Sequence, residues 1–357
     1  MLKYIKQDDY TLVTSGPDDE EWLTELMKYG RELNREFLDK LTEKPKGGRL
    51  SGSFIYSHPP DYIGRPTMHW GKDEWQSLLR EMKELGIDTV IYQAAAWVEF
   101  EESSYPSKLL AHYKTWNSIE PLCQAVAAEG MTLYLGGLGN LMGFDEKATV
   151  EVMNKDRDIQ LGVFHELVEL YKGGFHGFYM SPETGFPGQR QPEREQLLNR
   201  YFKDVCQGVK DILPGIQVLT SPGTFYMENR GEEIYEFLRS LFDGVPIDYM
   251  TPQDSVGTFS NRLPHLKPSF EIWQRVCQAT GMHLWVNVES FQRKQIGTTS
   301  DFEPADFERL AVQLSNASQV GEKIVGWEVP YFYSSLAGER GIRLRKEYLA
   351  SIAAGER

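Results

Sequence analysis

His283-Leu284-Trp285-Val286-Asn287-Val288-Glu289 is the stretch on which the fold turns. Val286 and Val288 alternate with Trp285, Asn287 and Glu289, the period-two pattern of a strand with two distinct faces. The valines suit a face packed on helices. The other three point the opposite way, and the last of them is a carboxylate at the strand's end.

Working outward, comparable runs occupy 51–57, 89–95, 131–138, 174–181, 216–221, 247–251 and 323–329, spaced roughly 30 to 45 residues apart. Between them lie amphipathic stretches at helical spacing, such as Trp75, Leu78, Leu79, Met82 and Leu85, or Leu197, Tyr201, Val205, Val209 and Ile212. Strands alternating with helices form βαβ units around a parallel sheet. Eight such units predict an α/β protein of the closed (β/α)8, or TIM, barrel type over 51–357. An open doubly wound sheet would carry a glycine-rich phosphate turn after its first strand. Here Ser57-His58-Pro59-Pro60 follows instead, and Gly136-Gly137-Leu138-Gly139 reads as a strand exit. Ahead of the barrel, residues 1–50 form an N-terminal helical extension. Asp18 or Asp19 caps it, Trp22, Leu23, Leu26, Leu33, Phe37, Leu38 and Leu41 make its apolar stripe, and Lys44 to Gly48 break it.

The chain has 357 residues, 41% of them apolar, and a net charge of -14. That charge repels nucleic acid and anionic membranes, and no run approaches the roughly 20 apolar residues of a membrane span. Met1 to Ser15 lack the basic start and apolar run of a signal peptide, so a cytoplasmic location is expected. Cys123, Cys206 and Cys277 are too dispersed for a zinc site or a disulfide framework and are expected as buried thiols. Oligomeric state is left open.

In a barrel of this kind the chemistry sits at the C-terminal ends of the strands. In the fourth strand, Phe178 and Met180 suit the helix side, which turns Tyr179 and Ser181 to the axis and brings Glu183 to the mouth. In the seventh, Glu289 ends the inward face. A carboxylate is costly to bury without use or partner. Two of them across a barrel mouth suit glycosidic cleavage, one giving a proton to the leaving oxygen and the other attacking the anomeric carbon or activating water. The structural alternatives are a helix cap or an Arg190 ion pair for Glu183, and a pair with Arg293 or Lys294 for Glu289. Asp254, at the sixth exit, either joins the site or caps the loop ending at Gly257. Glu328 is expected inward on the eighth strand, with Val325 and Val329 toward the helices. Trp327 is one of the strand-end aromatics offered for sugar stacking, with the helix side as its alternative by parity. Sugar rings stack on aromatics and bond to amides, and strand ends supply Tyr56, His58, Trp97, Trp285, Tyr331, Phe332 and Tyr333 beside Gln93, Gln253 and Asn287.

Glutamates ending strands four and seven resemble the retaining glycoside hydrolase superfamily built on this barrel. The resemblance implies Glu183 as acid/base and Glu289 as nucleophile, with carboxyl groups about 5 to 5.5 Å apart. That superfamily has Asn before the strand-four Glu, where this chain has Pro182. Gly177-Phe178-Tyr179-Met180-Ser181-Pro182-Glu183 and Gln253-Asp254-Ser255-Val256-Gly257 resemble a family of bacterial barrel proteins classed as a domain of unknown function and grouped with glycoside hydrolases. That likeness spans about Gly52 to Tyr333.

A carbohydrate substrate without cofactor or metal is therefore expected. Two rivals use the same barrel. A metal-dependent sugar isomerase or epimerase would add histidine ligands, and among His58, His69, His112, His165, His176, His265 and His283 only His58 stands at a strand exit. A non-catalytic carbohydrate-binding barrel would keep the aromatics and need neither glutamate. Serine or cysteine hydrolysis has neither a Gly-x-Ser-x-Gly elbow nor a Cys at a strand exit.

Overall fold

The computed structural model describes residues 3–7, 10–14, 20–43, 45, 47–56, 68–98, 100–139, 149–185, 190–224, 226–293 and 302–355, with side chains from Met27 onward. The eight barrel strands are β1 (Gly52–Ile55), β2 (Thr89–Tyr92), β3 (Thr132–Gly136), β4 (Gly177–Met180), β5 (Gln217–Thr220), β6 (Tyr249–Met250), β7 (His283–Glu289) and β8 (Lys323–Trp327). All neighbours are parallel, and β8 pairs with β1 to close the barrel. Each strand-like run of the sequence contains one of them. The outer helices are α1 (Lys72–Glu84), α2 (Ile119–Glu129), α3 (Val150–Tyr171), α4 (Pro192–Ile212), α5 (Gly231–Phe242), α6 (Leu266–Thr280), α7 (Phe307–Ala317) and α8 (Gly338–Gly355).

Local chemistry explains the helices. In α1, Trp75, Leu78, Leu79 and Met82 bury one stripe while Asp73 and Glu74 sit in the first turn, where the helix dipole favours acids. α4 starts on Pro192, whose fixed φ suits the first helical position.

Two apolar bodies result. The larger lies between strands and helices and takes Phe178, Met180, Val286 and Val288, as the alternation predicts. The smaller fills the barrel with Phe54, Ile91, Tyr134, Tyr179, Leu219, Trp285 and Val325. Its floor is aromatic. Trp285 lies 4.3 Å from Tyr249 and 5.9 Å from Tyr134, centroid to centroid. Gln217 links the two tyrosine hydroxyls, accepting from Tyr134 at 2.6 Å and donating to Tyr249 at 3.1 Å.

Other features were not anticipated. An antiparallel hairpin (Lys3–Gln7 with Tyr10–Thr14) precedes the leading helix Glu20–Asp39. A small sheet of Lys114–Thr115, Glu102–Ser103, Ala96–Trp97 and Leu138–Gly139 stands over the exits of β2 and β3. A second hairpin, Phe291–Arg293 with Phe302–Pro304, follows β7. The three cysteines are buried free thiols, and burial pushes each up to about 12. Among the described residues no helix is long and apolar enough to cross a membrane.

Candidate active site

β4 delivers Glu183 past Ser181, whose hydroxyl donates to the Gln93 carbonyl at 3.1 Å and so ties the β4 exit to the β2 exit. Glu183 keeps an exposed side chain at the mouth, although protein atoms crowd its carboxyl. That crowding pushes it up to about 7, against the Gln253 side chain, whose hydrogen bond favours the anion. Arg190 does not neutralise it. That guanidinium instead grips Glu195, in the first turn of α4, at 2.7 and 2.6 Å. Beneath Glu183 lies the Tyr179 phenol, raised well above its ordinary value by burial and by the nearby carboxylate.

The β6 exit joins this corner to β7. The Gln253 amide also donates to the Ser221 carbonyl at 3.1 Å, and its backbone bridges to Asn287. Asn287 donates to the Ser221 hydroxyl at 3.1 Å. Its Oδ1, like the Oε1 of Gln93, is buried with no hydrogen-bond partner. Two residues on, Glu289 is 2% exposed. Its Oε2 accepts the Thr258 N–H at 2.8 Å, and the Gly257 N–H also bonds the carboxylate. Burial and then the charge of Asp254 push Glu289 up to about 8, while the two N–H groups and Arg309 work the other way. Among the described residues, Arg293 makes no ion pair with it. Arg293 lies on the Phe302 ring, and Lys294 lies outside the described residues.

Several expected positions move. Asp254 is fully buried and makes no part of the open mouth. Its Oδ1 accepts N–H groups of Glu289 and Val256, each at 3.2 Å, and its Oδ2 accepts from Gln313 of α7 at 2.6 Å. Trp285 belongs to the barrel floor, four residues and about 13 Å below Glu289 along the strand. Val325 packs inside the barrel rather than on the helices, and Trp327 does so too, 5.6 Å from Phe54 and 5.8 Å from Tyr56. Parity had been counted through Val329, which already starts the short helix Val329–Phe332. Glu328 sits at that turn, buried, with Oε1 accepting the Tyr56 N–H at 2.5 Å, and burial raises it well above the ordinary carboxylate range. Tyr331, Phe332 and Tyr333 are buried in the larger, helix-side core. His58 lies outside the described residues.

What remains at the mouth is coherent. Tyr56, Trp97 and Ala94 make an apolar wall, with Trp97 edge-on to Tyr56 at 4.8 Å and Trp327 leaving part of its ring open. Against this wall stand Glu183, Gln93, Gln253, Asn287 and Glu289. Sequence reading missed Arg309 and Gln313, which come from α7 beneath β7. Arg309 is a buried cation in an apolar helix pattern, and that oddity was the available signal. Among the described residues no group of three or more His, Cys, Asp or Glu is placed to hold a metal.

Residues 50–336 match the family described as Domain of unknown function (DUF4434), and the chain belongs to it. Comparison with curated protein sequences gives no match. Among solved structures, the chain is similar to a candidate alpha-L-fucosidase from Bacteroides thetaiotaomicron VPI-5482. The TM-score is 0.72 at 21% identity, covering 88% of this chain and 96% of that one. A GH113 beta-1,4-mannanase matches with TM-score 0.53 and 11% identity over 85% of this chain and 99% of the other. An exo-beta-1,4-mannosidase from Opitutaceae bacterium strain TAV5 matches with TM-score 0.50 and 11% identity over 88% and 62%. At these identities the likeness is one of fold: a TIM barrel shared with glycoside hydrolases.

Proposed function

We propose that this DUF4434 chain is a glycoside hydrolase acting on O-glycosidic bonds with retention of configuration. The observation that carries the reading is the pair Glu183 and Glu289 at the exits of β4 and β7, joined through Gln253, whose side chain bonds one and whose backbone bridges to the strand of the other. The names of the solved relatives, a candidate alpha-L-fucosidase, a beta-1,4-mannanase and an exo-beta-1,4-mannosidase, support it.

In this reading Glu289, ionised, attacks the anomeric carbon while Glu183 gives its proton to the leaving oxygen, so one C–O bond forms as another breaks. Glu183, now anionic, takes a proton from water, and the resulting attack frees Glu289. The Gly257 and Thr258 N–H groups stabilise the carboxylate as it departs. The C–H faces of the sugar ring pack on the part of Trp327 left open at the wall.

The test is a panel of aryl glycosides and oligosaccharides with the native protein, Glu183→Gln and Glu289→Gln. Hydrolysis by the native protein alone is expected, with first-formed product of retained configuration by NMR. In Glu183→Ala, azide is expected to restore turnover and yield a retained glycosyl azide. Sugar binding that survives in both variants, with no cleavage by the native protein, would establish a carbohydrate-binding barrel instead.

A further inference from the structure

The segment Gln253-Asp254-Ser255-Val256-Gly257 touches both glutamates, and its second residue has no access to solvent or substrate. One Asp254 oxygen accepts N–H groups from two separate pieces of chain: Glu289 itself, and Val256, which leads into the Gly257–Thr258 N–H groups that receive the Glu289 carboxylate. The other oxygen is clamped by Gln313 at 2.6 Å. Gln313 Nε2 also reaches the Glu289 carbonyl at 3.2 Å, and Arg309 Nη2 bonds the carbonyls of Glu289 at 3.3 Å and Phe291 at 2.5 Å. The backbone of Glu289 is thus held at its N–H and its C=O by three buried side chains.

We infer that Asp254 is a positioning residue: from behind the strand it fixes the main chain of Glu289 and the loop that receives its carboxylate, and it keeps a like charge beside that carboxylate. The inference rests on the hydrolase reading for its consequence in turnover, but not for its consequence in titration. Two buried acids share one buried guanidinium, so a second negative charge would have no counterion of its own, and burial raises Asp254 as well as Glu289. The charged or titratable groups around the pair are Arg309 from α7, Asp306 beside it, and Tyr333 from the segment after β8. Burial and Asp254 act together to raise Glu289, and Arg309 only partly offsets them.

Asp254→Asn removes the charge and keeps the side-chain shape; Gln313 must turn its amide to present Oε1 to it, giving up the 3.2 Å bond to the Glu289 carbonyl. Glu289 is then expected to ionise about one unit or more lower, the scale of a single neighbouring charge, which moves the optimum of kcat/KM, midway between the two limbs, downward by about half as much. Gln313→Leu loses the clamp together with the hydrogen bond that favours the Asp254 anion, and kcat is expected to fall with KM little changed. The same titration is readable without turnover, by carbon NMR of protein labelled at glutamate carboxyls, with Glu289 assigned by its absence from Glu289→Gln. In the native protein that resonance is expected to titrate well above the ordinary carboxylate range, and lower in Asp254→Asn. An ordinary native titration, or one unmoved by Asp254→Asn, overturns the inference. A native protein that cleaves no glycoside overturns the hydrolase reading, and the NMR arm still decides the role of Asp254.

Discussion

Glu183 must hold a proton and Glu289 must have lost one for the first bond to break, yet burial raises both, to about 7 and about 8. The reactive form carries a single proton over the pair, on Glu183; since Glu289 holds a proton the more tightly, this is the minor of the two singly protonated forms. Below about 7 both carboxyls are protonated and there is no nucleophile; above about 8 both are ionised and there is no acid. The expected pH profile of kcat/KM is therefore a narrow bell with its maximum between these values, and a broad optimum near pH 5 would refute it. The bell reports the pair and not either residue. With a dinitrophenyl leaving group, which needs no protonation, Glu183→Gln is expected to lose the alkaline limb alone. Gly257 offers a second test at this scale. A Cβ there would stand 2.2 Å from the Phe291 carbonyl and 3.0 Å from Glu289 Oε2. Because the first of these is backbone, the loop must move. Gly257→Ala is expected to cost about 1–3 kcal/mol in denaturant melts, as overpacking does, and to lower kcat at least tenfold by an order-of-magnitude reckoning. An unchanged kcat would mean that the two N–H groups do not set the Glu289 carboxylate.

Elements were legible where a period had room to repeat. Seven residues of β7 fixed the inward face and placed Glu289 at its end, and the strand pairs as that alternation requires. Parity gives a face but not a height, so Trp285 passed for a mouth residue although it belongs to the floor. It also fails near the strand's end, which is why Val325 and Trp327 pack inside the barrel. The small sheet over β2 and β3 has strands of two residues, too short to show any period, and its hold lies elsewhere. Glu166 of α3 takes hydrogen bonds from Tyr105 and Ser107 hydroxyls and the N–H groups of Lys108 and Leu109, at 2.6 to 2.9 Å. Burial alone would raise Glu166, but these donors outweigh it and hold it below its ordinary value. A depressed carboxylate contributes stability above its unfolded pKa and loses it as pH falls through the folded one. Glu166→Gln is thus expected to cost about 1 kcal/mol at neutral pH, modest because the group is partly solvated, and nothing in strong acid. Since the sheet carries Trp97 into the mouth wall, KM should rise in this variant while kcat holds. A pH-independent stability difference would contradict the clamp.

At the scale of the whole molecule, the site depends on pieces that the repeat does not include. Asp254 was readable as a strand-exit acid, but its burial comes from α7, whose Arg309 and Gln313 lie more than fifty residues away in sequence. The leading helix acts in the same long-range way. Its Asn34 Oδ1 accepts the N–H of Leu263 at 2.8 Å, both residues being buried. Its Arg31 bonds the Arg293 carbonyl at 2.7 Å and lies 5.6 Å from the Phe259 ring. These contacts hold Phe259 and Leu263, which follow Thr258, the donor to Glu289, and Arg293, whose N–H donates to the Gly257 carbonyl at 3.2 Å. A helix that merely decorated the barrel could lose one of them without consequence for turnover. If instead it braces the loop, Asn34→Ala leaves the Leu263 N–H buried and unpaired, which costs about 1–3 kcal/mol. The loop then relaxes to solvate that group, and the Thr258 N–H moves with it. The expected result is a lower denaturation midpoint together with a several-fold fall in kcat, on the order of what small misplacements of catalytic groups cause, and with little change in KM. A lowered midpoint with native kcat would make the helix a stabiliser only, and native values of both would remove it from the workings of the site.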